Sequence, residues 1–426
     1  MSDGEFPIKK LLTQKESCKK AIQLVSEQLQ SRLLPADKCL QVLFRQNHKY
    51  GSRDRRVIGE SVFSYFRWLG VLRKAFRFSA FDIDDEILFA VFAAEGKFFP
   101  VCELWMPEKQ FLSFVAGNNT PWGRVAAIAN CSQTLLGSHD NVPAWMLDEV
   151  EPSLSKTWLE TLVIRPDTWL RVWDAKDTAF LVDALRKAGA DCEAVPDYPN
   201  AIRLSTRNFQ LQTIPESLQS KFTVQDLSSQ GIIEAVSPRT GETWWDVCAG
   251  AGGKTLQLAT KGSQDIQIIA TDKRENVLND LQKRMRYAKL KNIQISNPET
   301  AKKRQYDGVI VDAPCSSSGR WRRNPEMKWV MKRKNLELLN QTQKELLEQA
   351  ASCVKINGIL IYGTCSVFHS ENEGIIDSFQ KNHPDFELVP FPSPMPPHAM
   401  TNGTCHIMAM LQHADFTFTS MFRRKS

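Results

Sequence analysis

What most constrains this chain is a run of short apolar strands alternating with helical segments from Gly241 onward. Residues 243–247, 266–270, 293–296, 308–311 and 359–362 read as strands. Residues 253–260, 275–289 and 336–353 read as helices between them. Strands this short, apolar throughout and separated by helices, predict an α/β fold with a doubly wound sheet covered on both faces. Residues 416–422 are expected to close it as an antiparallel strand.

The chain ahead of this run has a different pattern. Up to residue 150 it reads as helical. Leu and Ile recur at helical spacing through residues 14–33, and Pro35 marks a new start. Ser52 is a candidate cap for the apolar steps Val57, Ile58, Val62, Phe63, Phe66 and Leu69. Arg53, Arg55 and Arg56 crowd the first turn, the unfavourable end for cations, so they either meet an anion or form a tolerated surface cluster. Residues 151–238 read as a small α+β unit, with strands at 169–173 and 201–204 and a helix at 178–188. The expected division is thus 1–150, 151–238 and 239–426, three parts that suit a chain of 426 residues.

Composition narrows the function classes. Hydrophobic residues at 42% and charged residues at 24% belong to a globular chain rather than a disordered one. No apolar run approaches the roughly 20 residues that cross a bilayer. The polar, basic start lacks the apolar core of a secretory signal, so no membrane association and a cytoplasmic, reducing setting are expected. Ten scattered cysteines, with no C-x-x-C pair and no nearby His set, argue against zinc or a disulfide framework. No metal is expected. The net charge of +6 is unevenly placed: ten Lys or Arg face three acids between Lys302 and Lys334, with Trp321 and Trp329 among them. That mixture suits a phosphate backbone and unstacked bases, or equally a solvated helix face.

After the first sheet strand comes Asp246-Val-Cys-Ala-Gly-Ala-Gly-Gly-Lys-Thr255. Glycines at 250, 252 and 253 let the backbone approach a ligand where a strand feeds a helix N-terminus. A P-loop would need Gly where Cys248 stands, and a dinucleotide loop would need a third Gly where Thr255 stands. S-adenosyl-L-methionine, which has no pyrophosphate to cradle, is the remaining candidate. Asp272, 22 residues after Gly250, follows the second strand, where a carboxylate can accept both ribose hydroxyls or cap the next helix.

Two cysteines stand just past strand ends, in Asp312-Ala-Pro-Cys315 and Gly363-Thr-Cys-Ser366. Ligands of open α/β sheets bind at that edge. A buried structural thiol suffices for Cys353, expected within an apolar helix, but explains this pair poorly. Carbon 5 of cytosine becomes nucleophilic only after a thiolate adds to carbon 6, and a base must later remove the carbon 5 proton so that the thiol can leave. Asp312 is placed to bond ring N3. A thiol with a pKa of about 8.5 needs dipoles or cations to ionise at neutral pH, and Lys254 is one candidate for that help.

These residues also resemble the Nop/Sun family of RNA cytosine-5 methyltransferases, in its bacterial branch acting on small-subunit ribosomal RNA. Asp246–Thr255 is similar to the family's D-x-C-A-A-P-G-G-K-T, Asp312–Ser316 to D-A-P-C-S, and Thr364–Ser366 with Asn372-Glu373 to T-C-S followed by N-E. Arg322–Glu326 resembles its R-x-N-P-E/D segment, and residues 52–68 a helical NusB-like RNA-binding domain. The resemblance implies a Rossmann-like methyltransferase sheet in a monomer that uses S-adenosyl-L-methionine. It assigns Cys365 as nucleophile, Cys315 to product release and Asp312 to a place between cofactor and base. It lines the cofactor with Cys248, Ala249, Gly250, Ala251, Gly252, Gly253 and Lys254, with Asp272 on the ribose and Glu299 on the adenine. The chain departs from the pattern where Ala251 replaces a loop proline, Trp173 an Asn, Pro298-Glu299 a Gly-Asp, and where the last strand lacks Asp-Gly. Two rivals stand beside this reading. A DNA-type enzyme would attack with Cys315, and an RNA-binding protein would have no activity.

Overall fold

A computed structural model describes residues 8–32, 34–79, 81–205, 209–261, 265–395, 398–407 and 413–425. The first seven residues of the polar start lie outside these. The chain forms two compact units.

The first unit takes in Met1–Ile164 and also Trp321–Lys332. Its helices include Ile8–Arg32, Ala36–Gln46, Ser52–Phe76, Asp85–Glu95 and Pro152–Thr161. Val62, Tyr65, Phe66, Leu69 and Leu72 of the Ser52–Phe76 helix are buried, at the spacing of one helical face. Ser52 opens that helix rather than capping it. Gly51 holds the cap position, and the Asp54 carboxylate accepts its backbone N–H at 3.4 Å. Arg55, one of the three first-turn arginines, donates to the carbonyls of Tyr50 (2.9 Å) and Phe44 (3.5 Å) and lies over the Phe44 ring. The boundary falls at Ile164 instead of 150 because the Pro152–Thr161 helix packs Trp158 against Trp321, with ring centroids 6.0 Å apart.

The segment Trp321–Lys332 takes part of the basic, aromatic stretch into the interior, although seven of the ten cations between Lys302 and Lys334 stay exposed. Trp321, Arg322, Glu326 and Lys328 are all buried. Arg322 Nε donates to Ile164 O (3.0 Å), Trp329 Nε1 to Phe66 O (2.7 Å) and Lys328 Nζ to Arg67 O (3.2 Å), while Glu326 Oε1 accepts the Ala36 N–H (3.1 Å). These side chains satisfy backbone groups inside the helical unit and are not open to a phosphate backbone.

The second unit, Arg165–Arg320 with Arg333–Ser426, holds most of both remaining segments of the expected division. Strands β1 (Thr168–Val172), β2 (Cys192–Val195), β3 (Tyr198–Leu204) and β4 (Phe222–Val224) form an antiparallel sheet in the order β2-β3-β1-β4. One face packs Leu170, Val172 and Ile202 on Leu181 and Leu185 of the Thr178–Lys187 helix. From the other, buried Arg171 donates Nη2 to Thr260 Oγ1 (2.8 Å) on the Gly253–Lys261 helix. This polar contact links the small sheet to a helix of the large one within the same compact unit.

The large sheet runs β5 (Thr243–Asp246), β6 (Gln267–Ala270), β7 (Ile293–Ile295), β8 (Tyr306–Asp312), β9 (Val354–Thr364), β10 (Phe386–Leu388), β11 (Thr404–Ile407) and β12 (Thr417–Arg424). Its order is β10-β12-β9-β8-β5-β6-β7, with β11 also on β12. Pairs among β5 to β9 are parallel, and β12 joins β9 antiparallel. Alternate residues face opposite layers: Trp245, Val309, Val311, Leu360 and Tyr362 to one, Trp244, Ile268, Ile310 and Ile361 to the other. Both layers are buried, which is why these strands read as unbroken apolar runs. The chain steps from β5 outward to β6 and β7, then returns to the other side of β5 with β8. That reversal opens a crevice at the carboxyl ends of β5 and β8.

Candidate active site

The loop after β5 enters the crevice first. Gly250 (φ +53°) and Gly252 (φ +86°) occupy left-handed backbone, and a Cβ on Gly252 would lie 2.2 Å from Leu281 Cδ1. Arg284 Nη1 donates to Ala251 O at 2.6 Å and its Nη2 to Thr223 Oγ1, so the loop is braced where the proline is missing. Asp246 is buried at the end of β5, takes the Thr255 hydroxyl at 2.6 Å, and is pushed up to about 7 by burial. Burial also drives the Cys248 thiol far above its ordinary range.

Asp272, just past β6, is buried, and each carboxylate oxygen accepts two bonds. Oδ2 takes Gly250 N–H (2.9 Å) and Arg274 Nη2 (3.1 Å); Oδ1 takes Arg274 N–H (2.9 Å) and Nε (3.0 Å). Burial raises its pKa, but the Arg274 side chain, with the Arg274 and Gly250 backbone, outweighs that and holds it low. A carboxylate has about four acceptor sites, so this one is full. The Arg274 side chain, 66% exposed, is the partner that can leave, and its departure frees one site on each oxygen. Two freed sites on adjacent oxygens match a vicinal diol.

The two strand-end cysteines meet on the same edge. Cys315 Sγ and Cys365 Sγ are 3.4 Å apart, and Ser317 Oγ is 3.4 Å from Cys365 Sγ. Ser317 reaches it from a left-handed backbone position, φ +58°. Gly319 donates its N–H to Cys365 O (3.0 Å), and a Cβ there would lie 2.3 Å from Phe416 O. The pair is electrically uneven. Cys365 is drawn down to about 7, first by the hydrogen bond from Cys315 and, against burial, by the Arg320 charge and Ser317. Cys315 is driven well above 9.0 by that same bond and by burial. The directions of the two shifts are those of a Cys315 S–H donating to the Cys365 sulfur.

The relatives of this arrangement are specific. Residues 233–423 match the 16S rRNA methyltransferase RsmB/F family. Ribosomal RNA small subunit methyltransferase B of Photorhabdus laumondii is 32% identical over 273 residues, 62% of this chain and 62% of the relative. The protein of that name from Klebsiella pneumoniae is 30% identical over 295 residues, 67% of this chain and 66% of the relative. The chain thus spans about six tenths to two thirds of the length of the curated relatives it matches. The fold matches the crystal structure of PH0851 with a TM-score of 0.72 and 20% identity, over 99% of this chain and 100% of that one.

The other residues singled out in the family's signatures fall in varied places. Lys254 Nζ is 2.6 Å from Asp312 Oδ2 and 3.2 Å from Ser229 Oγ, so its charge is directed at the carboxylate. The cation acting on Cys365 is Arg320, which the sequence reading passed over. Glu299 stands in the short Pro298–Ala301 helix after β7, with its side chain 71% exposed and paired with Lys302. Asn372 is buried, accepting from Thr364 Oγ1 (2.6 Å) and donating to Ser366 O (3.1 Å); Glu373 turns away to His406. Beside them lies Glu371, wholly buried and also passed over, although it abuts the Asn-Glu signature. Among the described residues no group of three or more His, Cys, Asp or Glu is arranged to hold a metal ion, and no helix is long and apolar enough to cross a membrane.

Proposed function

We propose that this protein methylates carbon 5 of a cytosine in RNA, with small-subunit ribosomal RNA as substrate and S-adenosyl-L-methionine as methyl donor. The observation that carries the reading is the thiol pair, 3.4 Å apart and unequal in acidity, in a region that matches the RsmB/F family. The names of its relatives, small-subunit ribosomal RNA methyltransferases, supply the substrate class. Ten free cysteines fit a protein working in a reducing cytoplasm.

The loop and Asp272 fit the cofactor. Left-handed Gly250 and Gly252 bring the backbone close, and Asp272 takes the ribose diol as Arg274 swings out. S-adenosyl-L-methionine supplies an electrophilic methyl group on a sulfonium. Cys365 enters as thiolate and adds to carbon 6 of the cytosine, making carbon 5 nucleophilic. Asp312, held by Lys254, meets the hydrogen-bonding edge of the base and, when protonated, donates to N3, where addition at carbon 6 builds negative charge. Once Cys365 is a thioether it no longer shares a proton with Cys315, and the largest cause of the raised Cys315 pKa disappears. Cys315 can then ionise and remove the carbon 5 proton, so that the Cys365–carbon 6 bond breaks and the thiolate returns.

The division of labour is tested on denaturing gels. Cys365→Ala is expected to abolish both methylation and any covalent complex with RNA. Cys315→Ala is expected to transfer the methyl group and stay attached, giving a retarded band only when S-adenosyl-L-methionine is present. The reverse pattern would assign attack to Cys315, and bisulfite sequencing of the RNA locates the modified cytosine.

A further inference from the structure

The two thiols come from loops 50 residues apart, and their 3.4 Å separation needs something that holds both loops. Cysteine side chains cannot supply it, since a sulfur–sulfur hydrogen bond is weak. The residues next to the cysteines in sequence do more. Ser316 gives its backbone N–H (2.8 Å) and its hydroxyl to the two carboxylate oxygens of Glu371. Ser316 Oγ and Ser366 Oγ are 3.2 Å apart, and Ser318 Oγ is 3.0 Å from Ser366 Oγ. Ser318 Oγ also accepts the Val367 N–H (2.9 Å), and Ser366 Oγ the Phe368 N–H (3.0 Å). Gln343 Nε2 spans Pro314 O (2.9 Å) and Glu371 Oε1 (3.0 Å), and Tyr362 donates to Glu371 O (2.7 Å). Glu371, Ser316, Ser318, Ser366 and Gln343 are all buried, so water cannot substitute for these bonds.

We propose that Glu371 is a positioning residue that locks the Cys315 loop to the Cys365 loop and so keeps the Cys315 S–H aimed at the Cys365 sulfur. It touches neither thiol. It acts through Ser316, adjacent to Cys315, and through the hydroxyl cluster with Ser366, adjacent to Cys365. Burial pushes its carboxyl up, and the serine and glutamine donors offset that only in part. What Glu371 supplies to the lock is acceptor oxygens for Ser316 and Gln343. The inference rests on the reading of Cys365 as nucleophile, but its test needs neither RNA nor cofactor.

The test is the rate of Cys365 alkylation by iodoacetamide on the full chain, followed by peptide mass spectrometry as a function of pH. In Glu371→Ala the loops part, Cys365 loses its donor, and its apparent pKa moves up towards the ordinary value of about 8.5. Alkylation at pH 7 is expected to slow about tenfold, and the midpoint of the pH profile to shift upward. Glu371→Gln keeps an acceptor for the Ser316 N–H and a polar partner for its hydroxyl, so it is expected to restore the wild-type rate and midpoint. If Glu371→Ala does not fold, Ser316→Ala removes one hydroxyl of the lock and is expected to slow alkylation about threefold. An unchanged midpoint in a folded Glu371→Ala or Ser316→Ala protein overturns the proposal, and so does a Gln variant as impaired as the Ala one. A chain that fails to methylate RNA yet shows the shifted midpoint overturns the proposed function and leaves the lock standing.

Discussion

At the scale of single residues, Cys365 owes its acidity to neighbours rather than to exposure. With its thiol drawn down to about 7, the thiolate is lost as pH falls through neutrality. Methylation under single-turnover conditions is expected to rise with pH and level off above about pH 8. Cys315→Ser, which keeps an O–H donor, is expected to move that midpoint less than Cys315→Ala, which keeps none. Asp272 and Arg274 make an opposed pair. Asp272→Ala removes the acceptor for the ribose and is expected to weaken cofactor binding by roughly 1.5–3 kcal/mol. Arg274→Ala removes a competitor worth at most about 1 kcal/mol and is expected to tighten binding by up to about fivefold. Calorimetry with S-adenosyl-L-methionine separates the two; equal losses in both variants would mean that Arg274 holds the cofactor rather than guarding its site.

At the scale of elements, the loop after β5 depends on a helix that the sequence places far from it. Arg284, on the Glu275–Tyr287 helix, ties Ala251 O to Thr223. Removing it as Arg284→Ala frees the loop to sample more conformations, and cofactor affinity is expected to fall by about 1 kcal/mol, near fivefold. Ala251→Pro in the same background narrows the loop's freedom through φ and is expected to recover part of that loss. A double-mutant cycle measured by calorimetry gives the coupling, and strict additivity would show that brace and proline do unrelated work.

At the scale of the whole molecule, the helical unit includes twelve residues, Trp321–Lys332, borrowed from the middle of the catalytic segment. Lys328 is buried there beside Arg67, and burial first, then that like charge, holds its pKa well below 10.5. The folded state sheds a proton that the unfolded chain keeps, so stability is gained as pH rises towards 10.5 and lost as it falls through the folded value. Lys328→Met is expected to raise the melting temperature at pH 7 by about 2–4 °C, to flatten that pH dependence, and to leave RNA affinity unchanged. A loss of RNA affinity with an unchanged melting curve would return Lys328 to the nucleic-acid surface. The sequence alone determined the doubly wound sheet, the glycine loop and the strand-end places of Asp272, Asp312, Cys315 and Cys365, because periodicity and motif order are local properties. It placed boundaries and caps less well, as Gly51 and Ile164 show, because a cap is chosen by backbone angles and a boundary by what packs on the last helix. Only the tertiary structure decided that Glu371 joins two loops 50 residues apart, that the charge of Arg320 rather than of Lys254 lowers the Cys365 pKa, and that Trp321, Arg322 and Lys328 are interior. The burial of a charge, and the partner it finds there, depend on chain segments distant in sequence, which no local pattern records.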